Sequence, residues 1–224
     1  MAVPPVTLSG VTKRYGAVTA LQDVSAAFDS GRVHAVAGAN GSGKTTLFRL
    51  VAGLTRPTSG CVDAGGASVG IAFQEPSVYR DLTVGENLAT FAAVTGADED
   101  WRTELVDRLE LGSTVDRRVG ALSAGFAKKL DLALALLAQP DVVLLDEPLA
   151  DVDASTGAAL VTLLAEYADA GRTVLLSTHN VDRFAGVVDR LVVLREGRLA
   201  EDVTGDALPE RLEAAAAGTV RGND

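Results

Sequence analysis

The chain has 224 residues, of which 47% are hydrophobic, enough to bury a sizeable core as one globular domain. Its net charge of −10 argues against a nucleic-acid partner, because general affinity for a polyanion needs clustered lysine and arginine side chains. Stretches free of charged residues reach only twelve residues, as at 154–165, so we expect no membrane-spanning helix.

The opening residues and the single cysteine narrow the compartment and the chemistry further. The opening MAVPPVTLSG lacks a basic segment followed by an apolar one, so we expect no secretory signal and a cytoplasmic location. Cys61 is the one cysteine of the sequence, which excludes an internal disulfide and a multi-cysteine metal site. We expect it to be a small residue in a strand or loop.

The first elements show two different patterns. Residues 6–33 alternate in the way of antiparallel strands. The run RVHAVAG at 32–38 is short and apolar, which predicts a central strand with His34 as a packing residue. The segment TTLFRLVAGL at 45–54 has apolar residues three and four apart, which predicts a helix buried on one face. We expect an antiparallel β subdomain followed by the start of a parallel core.

From Glu75 to about Lys129 the pattern becomes helical. The segments TVGENLATFAAVTG at 83–96 and WRTELVDRLELG at 101–112 indicate helices, with Trp101 as a hydrophobic anchor. We therefore predict an inserted helical subdomain over 75–129. The tail predicts one short helix.

Two further apolar runs, DVVLLDEP at 141–148 and RTVLLSTHN at 172–180, predict central strands. Strands that alternate with helices are typical of an α/β fold with a mainly parallel sheet. We interpret residues 1–224 as a single domain. Its core and β subdomain would comprise residues 1–74 and 130–224.

Eight residues fit the phosphate-binding pattern G-x-x-x-x-G-K-[ST], namely Gly38, Ala39, Asn40, Gly41, Ser42, Gly43, Lys44 and Thr45. They follow a predicted strand and precede a predicted helix, which is the context the pattern requires. Glycines let the backbone wrap around a polyphosphate with its N–H groups and the helix terminus pointing inward. Lys44 supplies a mobile charge for the β- and γ-phosphates, and Thr45 can place its hydroxyl on Mg²⁺. The sequence therefore predicts a nucleoside triphosphate site on an α/β core of the P-loop NTPase type.

The run VVLLDEP offers the two carboxylates that hydrolysis needs. We expect the strand to end in Asp146 next to the P-loop in the sheet, with Glu147 facing the γ-phosphate. We assign Asp146 to Mg²⁺ and Glu147 to the general base.

These motifs, with LSAGF at 122–126, make nearly the whole chain similar to the ATP-binding subunits of ABC transporters. The resemblance implies ATP and Mg²⁺ as cofactors. In that family the pentapeptide LSGGQ binds the γ-phosphate of the nucleotide held by the opposite subunit. Ser123 and Gly125 match it, whereas Ala124 and Phe126 depart from it. Alanine keeps the small size required, but phenylalanine cannot form the hydrogen bond of a glutamine.

The resemblance implies roles for further residues in chain order. Tyr15 resembles the aromatic residue on which adenine stacks, and Gln74 resembles the glutamine that senses metal and water. Asp153 takes the acidic place of the D-loop. His179 resembles the switch histidine that contacts the γ-phosphate and holds Glu147 in position. The segment before Gln74 is shorter than is usual in the family, so we expect a strand or turn to be missing there.

The same resemblance implies a mechanism and partners. ATP on Gly38 to Thr46 of one subunit would be covered by Ser123 and Gly125 of a second copy, so that two nucleotides close a homodimer. Hydrolysis through Glu147 would let the copies part. This movement would be transmitted to a separate membrane-spanning subunit docked near residues 75–88. We thus expect a peripheral protein on the cytoplasmic face of the membrane.

Two other classes of function stay open, a soluble ABC ATPase acting on ribosomes or DNA and a nucleotide-binding regulator with little turnover. The short segment between Gln74 and Ser123 leaves no room for the long coiled coil of a DNA-acting ATPase. The intact Asp146, Glu147 and His179 argue against a regulator. Because YRDLTVGENL and LSAGFAKKLDLALAL look more like export than import ATPases, we predict the export-type subfamily.

Overall fold

The structure is a computed structural model that describes residues 6–178 and 181–216. Within those ranges the strands and α-helices, in chain order, are β1 (Val6–Tyr15), β2 (Val18–Phe28), β3 (Val33–Ala37), α1 (Lys44–Val51), β4 (Ser59–Asp63), β5 (Val69–Ala72), α2 (Val84–Thr95), α3 (Glu99–Arg108), α4 (Ala124–Leu137), β6 (Val142–Asp146), α5 (Ala154–Asp169), β7 (Thr173–Ser177), β8 (Arg190–Arg195), β9 (Arg198–Thr204) and α6 (Leu208–Ala216). None of these helices is both long enough and apolar enough to cross a bilayer.

The larger sheet has six strands in the order β5-β6-β7-β3-β8-β9. All neighbours are parallel except β8 and β9, which form an antiparallel hairpin. Every residue of β3, β6 and β7 is buried. Strands covered on both faces read as continuous apolar runs, which is why the sequence identified them. The predicted α/β fold with a mainly parallel sheet is confirmed.

The two faces of this sheet pack against different layers. Val143 and Leu145 of β6 point into a cluster shared with α2 to α6. Val142 and Leu144 of the same strand point the other way, against α1 and the strands β1 and β2. Alternate residues of a strand face opposite sides, so one apolar run serves both cores. The sheet is thus the central layer between a helical side and a β side.

The N-terminal sheet is antiparallel, in the order β2-β1-β4, as the alternating pattern predicted. Its third strand, β4, comes from beyond α1. Residues 55–70, the segment expected to be shorter than is usual in the family, contain β4, a turn closed by the Ala67 N–H on the Ala64 carbonyl at 2.9 Å, and the start of β5. The exposed Cys61 lies in β4.

The predicted helical subdomain contains α2, α3 and the beginning of α4. Thr83 starts α2 with a reciprocal capping box in which it pairs with Glu86. The Trp101 indole N–H donates to the Leu136 carbonyl at 3.0 Å, so Trp101 anchors α3 to the far end of α4. The predicted boundary at residue 129 falls inside α4, which continues without a break to Leu137.

The order and direction of the strands determine where the residues of the site lie. Because β3, β6 and β7 are parallel, the loops after Ala37, Asp146 and Ser177 leave the same edge of the sheet. The expectation that the strand of Asp146 lies next to the P-loop strand was wrong, since β7 lies between β6 and β3. Asp146 still reaches the P-loop, through the helix that follows the loop.

Candidate nucleotide site

The loop between β3 and α1 is shaped by its glycines. Gly38, Gly41 and Gly43 have φ angles of 148°, 81° and 108°. Only glycine adopts such angles without strain. A Cβ on Gly43 would also lie 2.6 Å from the Leu21 side chain and 2.7 Å from the Ala20 carbonyl oxygen. The loop therefore needs glycine here both for its turn and for its close approach to β2.

Lys44, the first residue of α1, folds back over this loop. Its Nζ donates to the Gly38 carbonyl at 2.7 Å and to the Ala39 carbonyl at 3.2 Å. The side chain is buried although its partners are uncharged. The first turn of α1 has no acidic residue, so the partial positive charge of the helix terminus is not offset locally. Lys44 and the helix terminus therefore place positive charge beside the loop.

Asp146 ends β6 with both carboxylate oxygens in use. Oδ2 accepts a hydrogen bond from Thr45 Oγ1 at 2.6 Å, and Oδ1 accepts a short one from Ser177 Oγ. The residue is 2% exposed. A hydroxyl and a carboxylate are the oxygen ligands that Mg²⁺ prefers, and Mg²⁺ usually takes the rest of its shell from phosphate and water. Thr45 and Asp146 therefore fit the predicted metal.

Glu147 follows with a strained backbone. Its φ of 50° lies in the left-handed region that favours glycine. Its N–H is held by the Ser177 carbonyl at 3.1 Å and the Ser177 hydroxyl at 3.2 Å. Strain of this kind persists only where surrounding contacts enforce it, and it is common at functional sites.

A cleft of about 460 Å³ opens at this edge of the sheet. It brings together most of the predicted residues and three from the start of β2, and is lined by Tyr15, Val18, Thr19, Ala20, Asn40, Gly41, Gly43, Lys44, Thr45, Thr46, Gln74, Asp146 and Glu147. Its volume is in the range of pockets that hold small ligands. Gly38, Ala39 and Ser42 belong to the loop but do not line the cleft.

Tyr15 and Gln74 lie at the rim. The Tyr15 ring is 44% exposed at the end of β1, with the Lys13 ammonium 4.8 Å from its centroid. An exposed ring at the mouth of a cleft can stack a planar base. Gln74 is exposed, two residues after β5.

Three predicted residues lie elsewhere, at the starts of α4 and α5. Ser123 Oγ caps α4 by accepting the Phe126 N–H at 3.4 Å. A Cβ on Gly125 would overlap the Asp151 carbonyl, so glycine is required there. Asp153 caps α5 and pairs with Lys129 at 2.7 Å, and that hydrogen bond holds the pKa of its carboxyl well below the usual range.

Two further predictions concern single side chains. His179 lies outside the described residues. Phe126, the departure from the signature, is partly buried against the core, and the Lys129 ammonium lies 5.1 Å from its ring centroid. The Phe126 ring thus stabilises the start of α4.

Sequence reasoning missed Ser177 and Lys128. Ser177 pairs with Asp146 across β6 and β7, and the signal was the polar residue that ends the second apolar run. Lys128 Nζ donates to the Phe73 carbonyl at 2.6 Å and to the Asp146 carbonyl at 3.0 Å. Its signal was a charged residue within the apolar pattern of α4. His34, by contrast, is the expected packing residue, buried edge-on against Phe28.

The chain is similar in sequence to known proteins. Residues 21–150 match the family described as ABC transporter. The chain is 37% identical over 194 residues to the aliphatic sulfonates import ATP-binding protein SsuB 1 of Pseudomonas savastanoi pv. phaseolicola, with 85% of this chain and 81% of the relative covered. It is 35% identical over 220 residues to the sulfate/thiosulfate import ATP-binding protein CysA 1 of Agrobacterium fabrum, where 90% of this chain spans 64% of the relative.

A third relative and two solved structures complete the comparison. The Nod factor export ATP-binding protein I of Burkholderia lata is 32% identical over 225 residues, covering 94% of this chain and 74% of the relative. A structure described as the ATP-binding subunit of an ABC transporter aligns with a TM-score of 0.87 at 24% identity, over 97% of this chain and 100% of its own. A dimeric ATP-binding cassette in a post-hydrolysis state with ADP and Pi aligns with a TM-score of 0.81 at 24% identity, over 89% and 98%.

These names do not support the predicted export-type subfamily, because the first two relatives are import proteins and only the third is an export protein. What the relatives share is the ATP-binding role. The family match covers more than half of the chain, and the relatives extend it to most of the rest. The chain therefore belongs to the ABC transporter family, as an ATP-binding subunit with ATPase activity.

Proposed function

We propose that this subunit binds Mg²⁺ and ATP in the cleft between the P-loop and β6, hydrolyses the γ-phosphate there, and so drives a separate membrane-spanning subunit. The observation that carries the proposal is the convergence of Lys44, the Thr45–Asp146 pair and Glu147 on one cleft. A phosphate-binding cation, a metal-binding pair and a base are the three parts that phosphoryl transfer to water requires.

The triphosphate would lie over the start of α1. Backbone N–H groups of the loop and the helix terminus favour negative charge there. Lys44 already donates to two loop carbonyls, and an ammonium carries three donors, so it can contact a phosphate while staying tied to the loop. The loop would thus bind the phosphates in a geometry that it has before the nucleotide arrives.

Thr45 and Asp146 would hold Mg²⁺, which neutralises developing phosphate charge when bound. The Ser177 hydroxyl donates to the other carboxylate oxygen of Asp146. The hydroxyl and the carbonyl of Ser177 both accept a hydrogen bond from the Glu147 N–H. Glu147 would accept a proton from the attacking water. Gln74, at the rim, would sense the metal and that water, and His179 is proposed, on the resemblance alone, to orient the water.

The nucleoside would extend toward β1, with adenine on the Tyr15 ring. Base stacking on an aromatic ring contributes about 1–3 kcal/mol per base. Tyr15 and Glu147 both line the cleft, so one nucleotide bound there would contact both.

The signature residues would serve a second copy. Ser123 and Gly125 do not line the cleft of their own chain. They lie at the beginning of α4, where Ser123 is exposed. A helix N-terminus binds phosphate readily. We propose that Ser123 and Gly125 cover the nucleotide of the opposite subunit, with Asp153 nearby, in a homodimer. The dimeric state of a solved structure with this fold supports the arrangement.

The membrane subunit would dock beside Gln74, on residues 75–88 of the helical subdomain. Tyr79 in this segment is 55% exposed and packs beside Phe91, which leaves an aromatic surface at that position. The ATP-binding subunit would then be a peripheral protein on the cytoplasmic face of the membrane. The names of two relatives support import, and the name of a third supports export. The direction would follow from the membrane subunit.

The test is Glu147→Gln, which keeps the size of the side chain but removes the base. We expect loss of steady-state ATPase activity and an ATP-bound dimer that light scattering detects with Mg²⁺ and ATP but not with ADP. The matched control is Glu196→Gln, because Glu196 shares a left-handed φ of 49° yet lies exposed in the β8–β9 turn. Normal hydrolysis by Glu147→Gln would refute the assignment of the base.

A further inference from the structure

Three ionisable side chains of α4 are buried, and two of them, Lys128 and Asp131, lie one turn apart. Lys128 and Asp131 are each only 2% exposed. Buried charges of this kind are expensive, and apolar residues of similar volume in their place are often neutral or stabilising. Burial raises the pKa of Asp131 to about 6 and lowers the pKa of Lys128, which means that it disfavours the charged form of both side chains. Stability alone gives no reason for this pair.

Lys128 contacts the peptide bonds that lead into two proposed catalytic residues. The Phe73 carbonyl, 2.6 Å from its Nζ, belongs to the peptide bond with Gln74. The Asp146 carbonyl, 3.0 Å from the same atom, belongs to the peptide bond with Glu147. The Lys128 ammonium therefore holds the peptide bonds that immediately precede Gln74 and Glu147.

Asp131 holds the same segment further along. Its Oδ1 accepts the Ser77 N–H at 2.9 Å, three residues beyond Gln74. The two side chains thus hold residues 73 and 77, on either side of Gln74, against one face of α4. The first turn of that helix carries Gly125 and follows Ser123. A shift of α4 would move the segment around Gln74 with it.

We propose that Lys128 and Asp131 are positioning residues that tie Gln74 and Glu147 of one active site to the helix that begins at Ser123. The proposal rests on the roles given to Gln74 and Glu147 above. When a second subunit contacts Ser123 and α4 moves, Lys128 transmits that movement to the peptide bonds that precede Gln74 and Glu147. Nucleotide binding by the P-loop does not pass through these contacts.

The experiment replaces both side chains with apolar ones, Lys128→Met together with Asp131→Leu. We expect a folded protein whose Kd for ATP with Mg²⁺ and KM stay within about twofold of the parent, while kcat falls about tenfold or more because the reacting groups are misplaced. The control is Tyr167→Phe, which removes a buried hydrogen bond to the Pro140 carbonyl before the other end of β6. We expect the control to lower the melting temperature without lowering kcat.

A double variant with the parent's kcat overturns the proposal. If the double variant does not fold, Lys128→Gln and Lys128→Met decide, with kcat counted per nucleotide-binding site. Glutamine keeps N–H donors for the carbonyls, so we expect its kcat to exceed that of Lys128→Met by about fivefold or more. Equal values overturn the proposal. Glu147→Gln in the parent separates the two hypotheses, because normal turnover in that variant contradicts the proposed function itself.

Discussion

The hydroxyl of Thr45 donates to the carboxylate of Asp146 at 2.6 Å, although 101 residues separate them in the chain. Strand β7 lies between β3 and β6 in the sheet, but α1, which follows β3, contacts β6. The Thr45–Asp146 contact joins the loop that would hold phosphate to the strand end that would hold Mg²⁺. The metal and the phosphates would therefore be held by elements that are already in contact.

Thr45→Val keeps the shape of the side chain and removes the hydroxyl. We expect ATP affinity in the presence of Mg²⁺ to fall about tenfold, since hydrogen bonds to charged groups contribute about 1.5–3 kcal/mol. Affinity measured in EDTA should not change, because the phosphate loop is intact. Titration calorimetry with and without Mg²⁺ measures both. Thr90→Val is the control, since its hydroxyl donates to the Glu86 carbonyl in α2, outside the cleft.

Lys44→Ala removes the cation of the phosphate loop. We expect ATP binding to weaken about a hundredfold, because the ammonium would contact phosphate directly and its loss removes charge-assisted hydrogen bonds. Equilibrium binding of a fluorescent ATP analogue measures this. Arg49→Ala removes an exposed cation from the last turn of the same helix and should bind as the parent does. Unchanged binding by Lys44→Ala would contradict the nucleotide site as a whole.

Tyr15→Ala tests the position of the base. We expect an affinity for ATP about tenfold lower, in line with the energy of base stacking. Tyr15→Phe should bind like the parent, because the ring and not its hydroxyl makes the contact. Inorganic triphosphate, which has no base, should bind the three proteins equally. A loss of triphosphate affinity in Tyr15→Ala would mean that the ring supports the loop instead.

The P-loop and the buried strands could be predicted from the sequence because their requirements are local. The turn between β3 and α1 needs glycine at Gly38, Gly41 and Gly43 for its backbone angles, and these letters are visible in order. Apolar runs such as Val142–Asp146 carry the signature of a strand covered on both faces. The proposed roles that depend on a single loop or strand end could thus be stated without a structure.

Features set by distant segments could not be read in this way. The order of β3, β7 and β6 depends on how their helices pack, so the strand of Asp146 was wrongly expected beside β3, although Asp146 itself does contact the P-loop residue Thr45. The predicted boundary at residue 129 divides α4, because the full extent of this helix, from Ala124 to Leu137, depends on its packing against distant segments. Lys128 is a charged residue in the apolar pattern of α4, and its hydrogen bonds to the carbonyls of Phe73 and Asp146, which lie far away in the chain, could not be predicted.

His34 makes the stability of the fold dependent on pH. Its ring is fully buried in β3, edge-on to Phe28, and Nε2 donates to the Asp29 carbonyl at 2.9 Å. Nδ1 is buried without a hydrogen-bond partner in the described part of the chain. Burial lowers the pKa of His34, as does the nearby Arg190, while the Asp29 hydrogen bond and the Asp29 and Asp189 carboxylates oppose the shift.

A lowered pKa means that the fold favours the neutral imidazole. Below the unfolded value of about 6.5 the unfolded chain binds more protons than the folded one, so stability falls as the pH decreases from that value. Asp131 acts in the opposite direction, because its raised pKa, about 6, lets the folded chain take up a proton first. Urea unfolding of the parent and of His34→Gln between about pH 5 and 8 isolates the histidine. We expect the difference in unfolding free energy between the two to narrow as the pH falls, because glutamine cannot take up a proton. A constant difference would show that His34 does not titrate with folding.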